Sequence, residues 1–192
     1  MKITFKIIMV LLLVGTATDF CGATITKKLS VQQLSKHSDC IVVGVVSDVK
    51  YERSKATGML ITLTTVTLSR TLKGSPAMTV VIQTPGGREN GRTRFVLGMP
   101  SFEIGEEVVL FLKKRSLSEY YGVAGWSQGK FTVTKDPTSS QKVAVSDGGN
   151  YSPRFYSRNK EVSSRTNSNL EIPLDMLFND ITQSLSSKKG GN

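Results

Sequence analysis

The sequence predicts a mainly β domain: a sheet of five to six strands closed into a barrel, with a short N-terminal helix and a C-terminal amphipathic helix. Three observations carry that expectation. Apolar residues alternate with polar ones over Ile41 to Tyr51, where Ile41, Val43, Val45, Val49 and Tyr51 share one phase. The run Val108-Val109-Leu110-Phe111-Leu112 is apolar on both phases, as a strand covered on both faces must be. Between Met59 and Leu72 the apolar phase changes, from Ile61 and Leu63 to Val66, Leu68 and Leu72. Such a change calls for an extra residue, so a β-bulge is expected near Thr64-Thr65. Bulged, bent strands are how a sheet curls onto itself.

The elements follow in order. Ser30-Val31-Gln32-Gln33 has the spacing of a capping box, and a short helix to about Ser38 is expected after it. Lys73-Gly74-Ser75-Pro76 is a turn, and Met78, Val80 and Ile82 form the inner face of a third strand. Pro85 to Ser101 is a long glycine-containing connection. Ile104-Gly105-Glu106-Glu107 turns into the central strand. Tyr120 to Val133 reads as a strand or hairpin broken by glycines, and Gln141 to Ser146 as one more strand at an edge. Trp126, the sole tryptophan, is assigned to the core. The segment 146–169 is polar and rich in Ser and Asn, a flexible excursion. Pro173 is the expected first residue of a helix whose Leu174, Leu177, Phe178, Ile181 and Leu185 form one apolar stripe.

The chain has 192 residues and a formal charge of +10. Residues 1–23 are laid out as a secretory signal peptide: Lys2 and Lys6, the apolar run Ile7 to Val14, then small residues. Cleavage is expected after Ala23, leaving 24–192 as a single domain without a membrane span, secreted to the periplasm or the extracellular space. Cleavage there removes Cys21 and leaves Cys40 as a buried thiol. Cleavage after Ala17 instead retains both, and a Cys21–Cys40 disulfide becomes possible.

The block Ser38-Asp39-Cys40-Ile41-Val42-Val43-Gly44-Val45-Val46, then Thr67 to Gly74 ending Leu-Lys-Gly, then Thr84-Pro85-Gly86-Gly87, then Phe102 to Leu112 with Gly105-Glu106-Glu107, then Ser127 to Phe131 and Ile172 to Asp175, resembles a domain of exported bacterial proteins of uncharacterised function, sometimes placed ahead of a protease domain. More distantly, the same order resembles the netrin-like barrel of the tissue inhibitors of metalloproteinases. That likeness implies a five-stranded OB-like barrel. The inhibitors' mechanism does not carry over. It needs an N-terminal disulfide-bonded cysteine that chelates zinc, and Cys21 after Phe20 does not supply one.

No catalytic constellation is visible, so the expectation is a non-enzyme. His37 is the sole histidine and no Gly-x-Ser-x-Gly elbow accompanies it. One histidine and two cysteines fall short of a zinc site, and no metal or cofactor is expected. Glu106 and Glu107 are adjacent and diverge from a strand. The candidate ligand-binding residues are Arg88, Arg92, Arg94 and Phe95, within a glycine-containing connection; arginine forks suit carboxylate or phosphate. The expected function is an exported binding or interaction domain, its partner a protein or an anionic surface polymer. The alternatives are a protease-associated regulatory or inhibitory module and a binder of anionic polymer or nucleic acid. Nucleic acid is disfavoured, because the basic residues are scattered rather than clustered.

Overall fold

The computed structural model describes residues 28–116, 118–146 and 171–187. The leader 1–23, with Cys21, lies outside them, as does the polar excursion apart from Ser146.

Helix α1 spans Val31–His37. Its capping box is complete: the Gln33 N–H donates to Ser30 Oγ at 3.2 Å, and the Ser30 N–H donates to Gln33 Oε1 at 3.0 Å. Lys73 Nζ donates to the Ser35 carbonyl at the other end, so the last turn ends on a cation. Val31 and Leu34 are buried beneath it.

The barrel is built from strands β1 (Cys40–Arg53), β2 (Leu60–Lys73), β3 (Thr79–Pro85), β6 (Glu107–Lys114) and β7 (Tyr121–Val123). Two short strands, β4 (Gly87–Glu89) and β5 (Arg92–Arg94), form a separate hairpin after β3. Around the barrel the order is β1-β2-β3-β7-β6 and back to β1. Ladders are antiparallel except β3–β7, which meet in parallel at Ile82 and Tyr121. This closed five-stranded barrel is compatible with an OB-like fold. β6 has β1 along one edge and divides its other edge: Leu112 to Lys114 pair with β7, Val108 to Leu110 with β8 (Lys130–Lys135). From β8 the sheet continues through β9 (Lys142–Ser146) to β10 (Glu171–Pro173). The segment at 142–146 therefore pairs on both sides and is not the edge strand expected; β10 lies outside it.

Because β6 is covered on both faces, it divides two cores. Val108, Leu110 and Leu112 join Cys40, Val42, Val46, Val66, Leu68, Val80 and Ile82 inside the barrel. Val109 and Phe111 point the other way, to a layer roofed by α1 and by α2 (Leu174–Ser186). There they meet Ile41, Val43, Phe131, Ile172 and the buried stripe Leu174, Leu177 and Ile181. α2 begins one residue later than expected, with Pro173 as the residue before the first turn.

The expected bulge in β2 near Thr64-Thr65 is corrected by the register. β2 pairs with β3 without a shift from Ile61 to Thr67. The extra residue lies across the ladder in β1: Val46 faces Val66, Asp48 faces Thr65, and Ser47 is left over. Before Ser47 the even residues Cys40, Val42 and Val46 enter the barrel; after it, Val49 takes the inward side. β2 has its own extra residues at Ser69 and Leu72, facing Val43–Gly44 and Ile41–Val42. At Gly44 the two strands approach so closely that a Cβ would stand 2.4 Å from the Thr67 carbonyl oxygen, which only glycine allows. Met78 precedes β3 and is exposed rather than inward-facing. Cys40 is buried with a free thiol.

Candidate functional site

The connection between β3 and β6 covers one end of the barrel. Its entry is fixed by hydrogen bonds: the Gly86 N–H donates to the Leu60 carbonyl at 2.9 Å, and Thr62 Oγ1 donates to the Gly86 carbonyl at 2.9 Å. The hairpin β4–β5 then turns through Asn90 (φ 50°) and Gly91 (φ 72°). Two positive φ values in a two-residue loop make a type I′ turn, whose twist matches that of paired strands. Asn90-Gly91 was the signal for this hairpin in a stretch that reads otherwise as open loop.

Pairing divides the arginines. Arg88 faces Thr93 across the ladder, while Glu89 faces Arg92 and Gly87 faces Arg94. Arg92 and Arg94 thus share the side of Glu89, and Arg88 belongs to the other. Arg88 and Arg94, with Phe95, nonetheless line one groove of about 330 Å³. Its floor is the barrel mouth, where Val49, Tyr51, Thr62, Thr84 and Phe102 meet. Glu89 is engaged by Arg53, whose Nε donates to Glu89 Oε1 at 2.8 Å. That hydrogen bond, with the guanidinium charge, holds the Glu89 carboxyl below the usual range. Arg88, Arg92 and Arg94 are exposed, and none makes an ion pair among the described residues. The candidate residues are therefore brought to one end of the molecule, but on two sides of a hairpin.

Beyond Arg94 the chain runs into an exposed apolar tip. Phe95 is 85% exposed and Leu97 93%. The Met99 N–H donates to the Val96 carbonyl at 3.2 Å, closing a β-turn with Gly98 at φ 80°. The Gly98 carbonyl accepts from the Ser127 N–H at 2.9 Å. Trp126 lies against Gly98, where an added Cβ would come within 3.1 Å of the indole ring. The core assignment of Trp126 is thereby corrected: the side chain is half exposed. Gly125 (φ 70°) and Trp126 (φ 61°) are consecutive left-handed residues that swing the indole outward. Such a φ is costly for a bulky residue and persists only where its surroundings impose it. The signal was Gly125 itself, ahead of a one-turn 3₁₀ helix at Trp126–Gly129.

The connection is anchored at its far end by a buried ion pair. Glu106 Oε1 accepts from Lys130 Nζ at 2.6 Å and from Thr132 Oγ1. The Lys130 side chain is 3% exposed, and its ammonium stands 5.1 Å from the centre of the Phe102 ring. Glu107 pairs separately, with Lys142 at 2.7 Å. The two carboxylates are each held by a different lysine. His37 is exposed at the end of α1, with Nδ1 2.7 Å from the Gln33 carbonyl.

No protein-family model matches this sequence, and no curated protein matches it. What supports the resemblance drawn from the sequence is the closed barrel, at the level of fold. Among the described residues no helix is long and apolar enough to cross a membrane, and no three His, Cys, Asp or Glu side chains gather as a metal site would require.

Proposed function

We propose that this protein is an exported, non-enzymatic binding domain that takes an anionic partner on the barrel end covered by residues 86–103. The observation that carries this reading is the set of exposed arginines without ion-pair partners among the described residues, held on a hairpin that is hydrogen-bonded to the barrel. A rigid scaffold presenting a polar loop is a common arrangement for binding. Guanidinium forks match phosphate, sulfate and carboxylate groups. The carboxylate closest to them along the hairpin, Glu89, is neutralised by Arg53, so the surface keeps its positive sign.

The test uses the exported protein, whose first residue by mass spectrometry should be Thr24; an intact Met1 end removes export from the reading. Replacing Arg88, Arg92 and Arg94 together by Ala changes only exposed side chains, so stability should move by within about 0.5 kcal/mol for each. Retention on immobilised polyphosphate should fall sharply. Wild-type retention should weaken with added salt, because exposed charges are screened. Equal retention of wild type and triple variant would sink this reading.

A further inference from the structure

We infer that the anionic partner is a lipid surface, on which the barrel end docks by inserting Phe95 and Leu97 among the headgroups while Arg88, Arg92 and Arg94 meet the phosphates. This inference rests on the arginine surface proposed above and adds its occupant.

Four observations converge on it. First, Phe95 and Leu97 project at 85% and 93% exposure from a stretch, Asn90 to Phe102, that carries Arg92 and Arg94 and no acidic residue, with Arg88 on the paired strand of the hairpin. Apolar side chains next to basic ones match the layered chemistry of an anionic interface, acyl chains below and phosphates above. Second, Leu97 lies outside the groove that Arg88, Arg94 and Phe95 line, on a β-turn closed by the hydrogen bond from Met99 to Val96. A side chain so placed can enter a fluid layer without having to fit a rigid partner.

Third, two carbonyls of the turn are already engaged. The Val96 carbonyl is taken by Met99 and the Gly98 carbonyl by Ser127. A turn entering a headgroup layer leaves behind the water that would otherwise hydrogen-bond its peptide groups, so internal partners lower the cost. Fourth, Trp126 is held half exposed beside Gly98, one residue from Leu97, by two left-handed residues. An amphipathic indole at that position belongs at a boundary where one end is apolar and the other wet. The Ser127–Gly98 hydrogen bond ties the tip to the scaffold, so little ordering remains on docking.

The experiment is cosedimentation with vesicles of phosphatidylcholine alone or mixed equally with phosphatidylglycerol, together with retention on polyphosphate. The fluorescence of Trp126, the sole tryptophan, is read in parallel. Wild type should bind the mixed vesicles, with a blue shift in emission, and should not bind phosphatidylcholine alone. Phe95→Ser combined with Leu97→Ser should weaken vesicle binding at least about tenfold, since two apolar side chains no longer leave water. It should leave the melting temperature unchanged, and Leu97→Ser alone, outside the groove that Arg88, Arg94 and Phe95 line, should also leave polyphosphate retention unchanged. Each arginine removed should weaken vesicle binding roughly fivefold.

If polyphosphate is retained but mixed vesicles are not bound, or are bound equally by the serine variant, the lipid inference falls and the arginine surface stands. If the triple arginine variant keeps polyphosphate as wild type does, the underlying reading falls and takes the lipid inference with it. Capture of an exported protein through Phe95 and Leu97, without vesicle binding, makes the tip a protein-docking element and overturns the inference as well.

Discussion

On the barrel side of β6, Val108, Leu110 and Leu112 meet buried neighbours that are aliphatic, apart from Cys40. On its other side, Val109 and Phe111 meet a layer that includes Phe131 and the stripes of two helices. The Phe111 and Phe131 rings lie 5.9 Å apart at 55°. The difference follows from closure. Five strands enclose a narrow space with backbone on every side, and only medium-sized side chains fill it. The outer layer is open at its rim, and helices can be set to the distance that rings require. Among the described residues, aromatic members reach the barrel only at its ends: Phe102 near the arginine hairpin, Tyr121 at the seam between β3 and β7. The barrel is thus an aliphatic plug with specialised ends, and its candidate site is built at one of them.

The sharpest way to break that comparison is to cut each core from the same strand. Phe111→Ala should destabilise by about 3–5 kcal/mol, the largest effect expected in the molecule. Leu110→Ala, one residue away and facing the other core, should cost about 2–5 kcal/mol. Its cost should lie high in that range, because a closed ring of backbone cannot collapse onto the cavity. The two side chains belong to different buried clusters, so the double variant should be additive within about 0.5 kcal/mol. Urea unfolding of the three variants decides it. A cheap Leu110→Ala would mean that the barrel wall yields, and strong coupling would mean that the two cores are one.

The Lys130–Glu106 pair sharpens the comparison at the barrel end. Lys130 stands opposite Leu110 in the ladder and so shares the barrel-facing side of the sheet. Glu106→Gln still accepts a hydrogen bond from Thr132 but takes the Glu106 charge away from the buried ammonium. The expected loss is about 3 kcal/mol, at the lower end for such a pair because the Glu106 side chain keeps some contact with solvent. Adding Lys130→Met should recover most of it, since a linear apolar side chain fills the same path beneath Phe102. Failure of the double variant to recover would show that the ion pair specifies how the 86–103 connection seats on the barrel, rather than merely closing its end.

Much of this was legible in the sequence because local chemistry decided it. Ser30 and Gln33 announce α1 through reciprocal caps that need no tertiary partner. The double-phase run of β6 announces a strand between two cores. What was not legible depends on contacts across the chain. The phase change in β2 reads as a bulge at Thr64-Thr65, yet the odd residues Ile61 and Leu63 are buried without any slip against β3. The slip lies at Ser47 in β1, where the residue types say nothing of it. Trp126 is large and apolar, so the core is its default, and only the backbone at Gly125 and Trp126 turns it out. Of the site, the residue types were legible and the partition was not. The register around Asn90-Gly91 decides that Arg88 is separated from Arg92 and Arg94.

The smallest expected effect concerns the other specialised end. Tyr121 makes the single β3–β7 pairing that closes the ring and packs partly against the barrel core. Burial pushes its phenol above the ordinary tyrosine value, and the neighbouring Cys40 and Asp39 push in the same direction. A folded-state value above the unfolded one means that folding favours the protonated phenol. The associated stability is complete below the unfolded value, near 10, and is lost as pH rises through the folded value. The urea midpoint of wild type should therefore fall in that alkaline range by more than the midpoint of Tyr121→Phe, which has no proton to lose there. Lysine titration contributes to both proteins and cancels in the difference. The phenolate of Tyr121, read by its ultraviolet absorbance, should appear over the same interval as the loss. Identical alkaline profiles for the two proteins would place the phenol in water and separate the closing pairing from the barrel's apolar lining. The aromatic ends would then differ in kind: Phe102 fixed beneath a buried cation, Tyr121 merely resting on the seam.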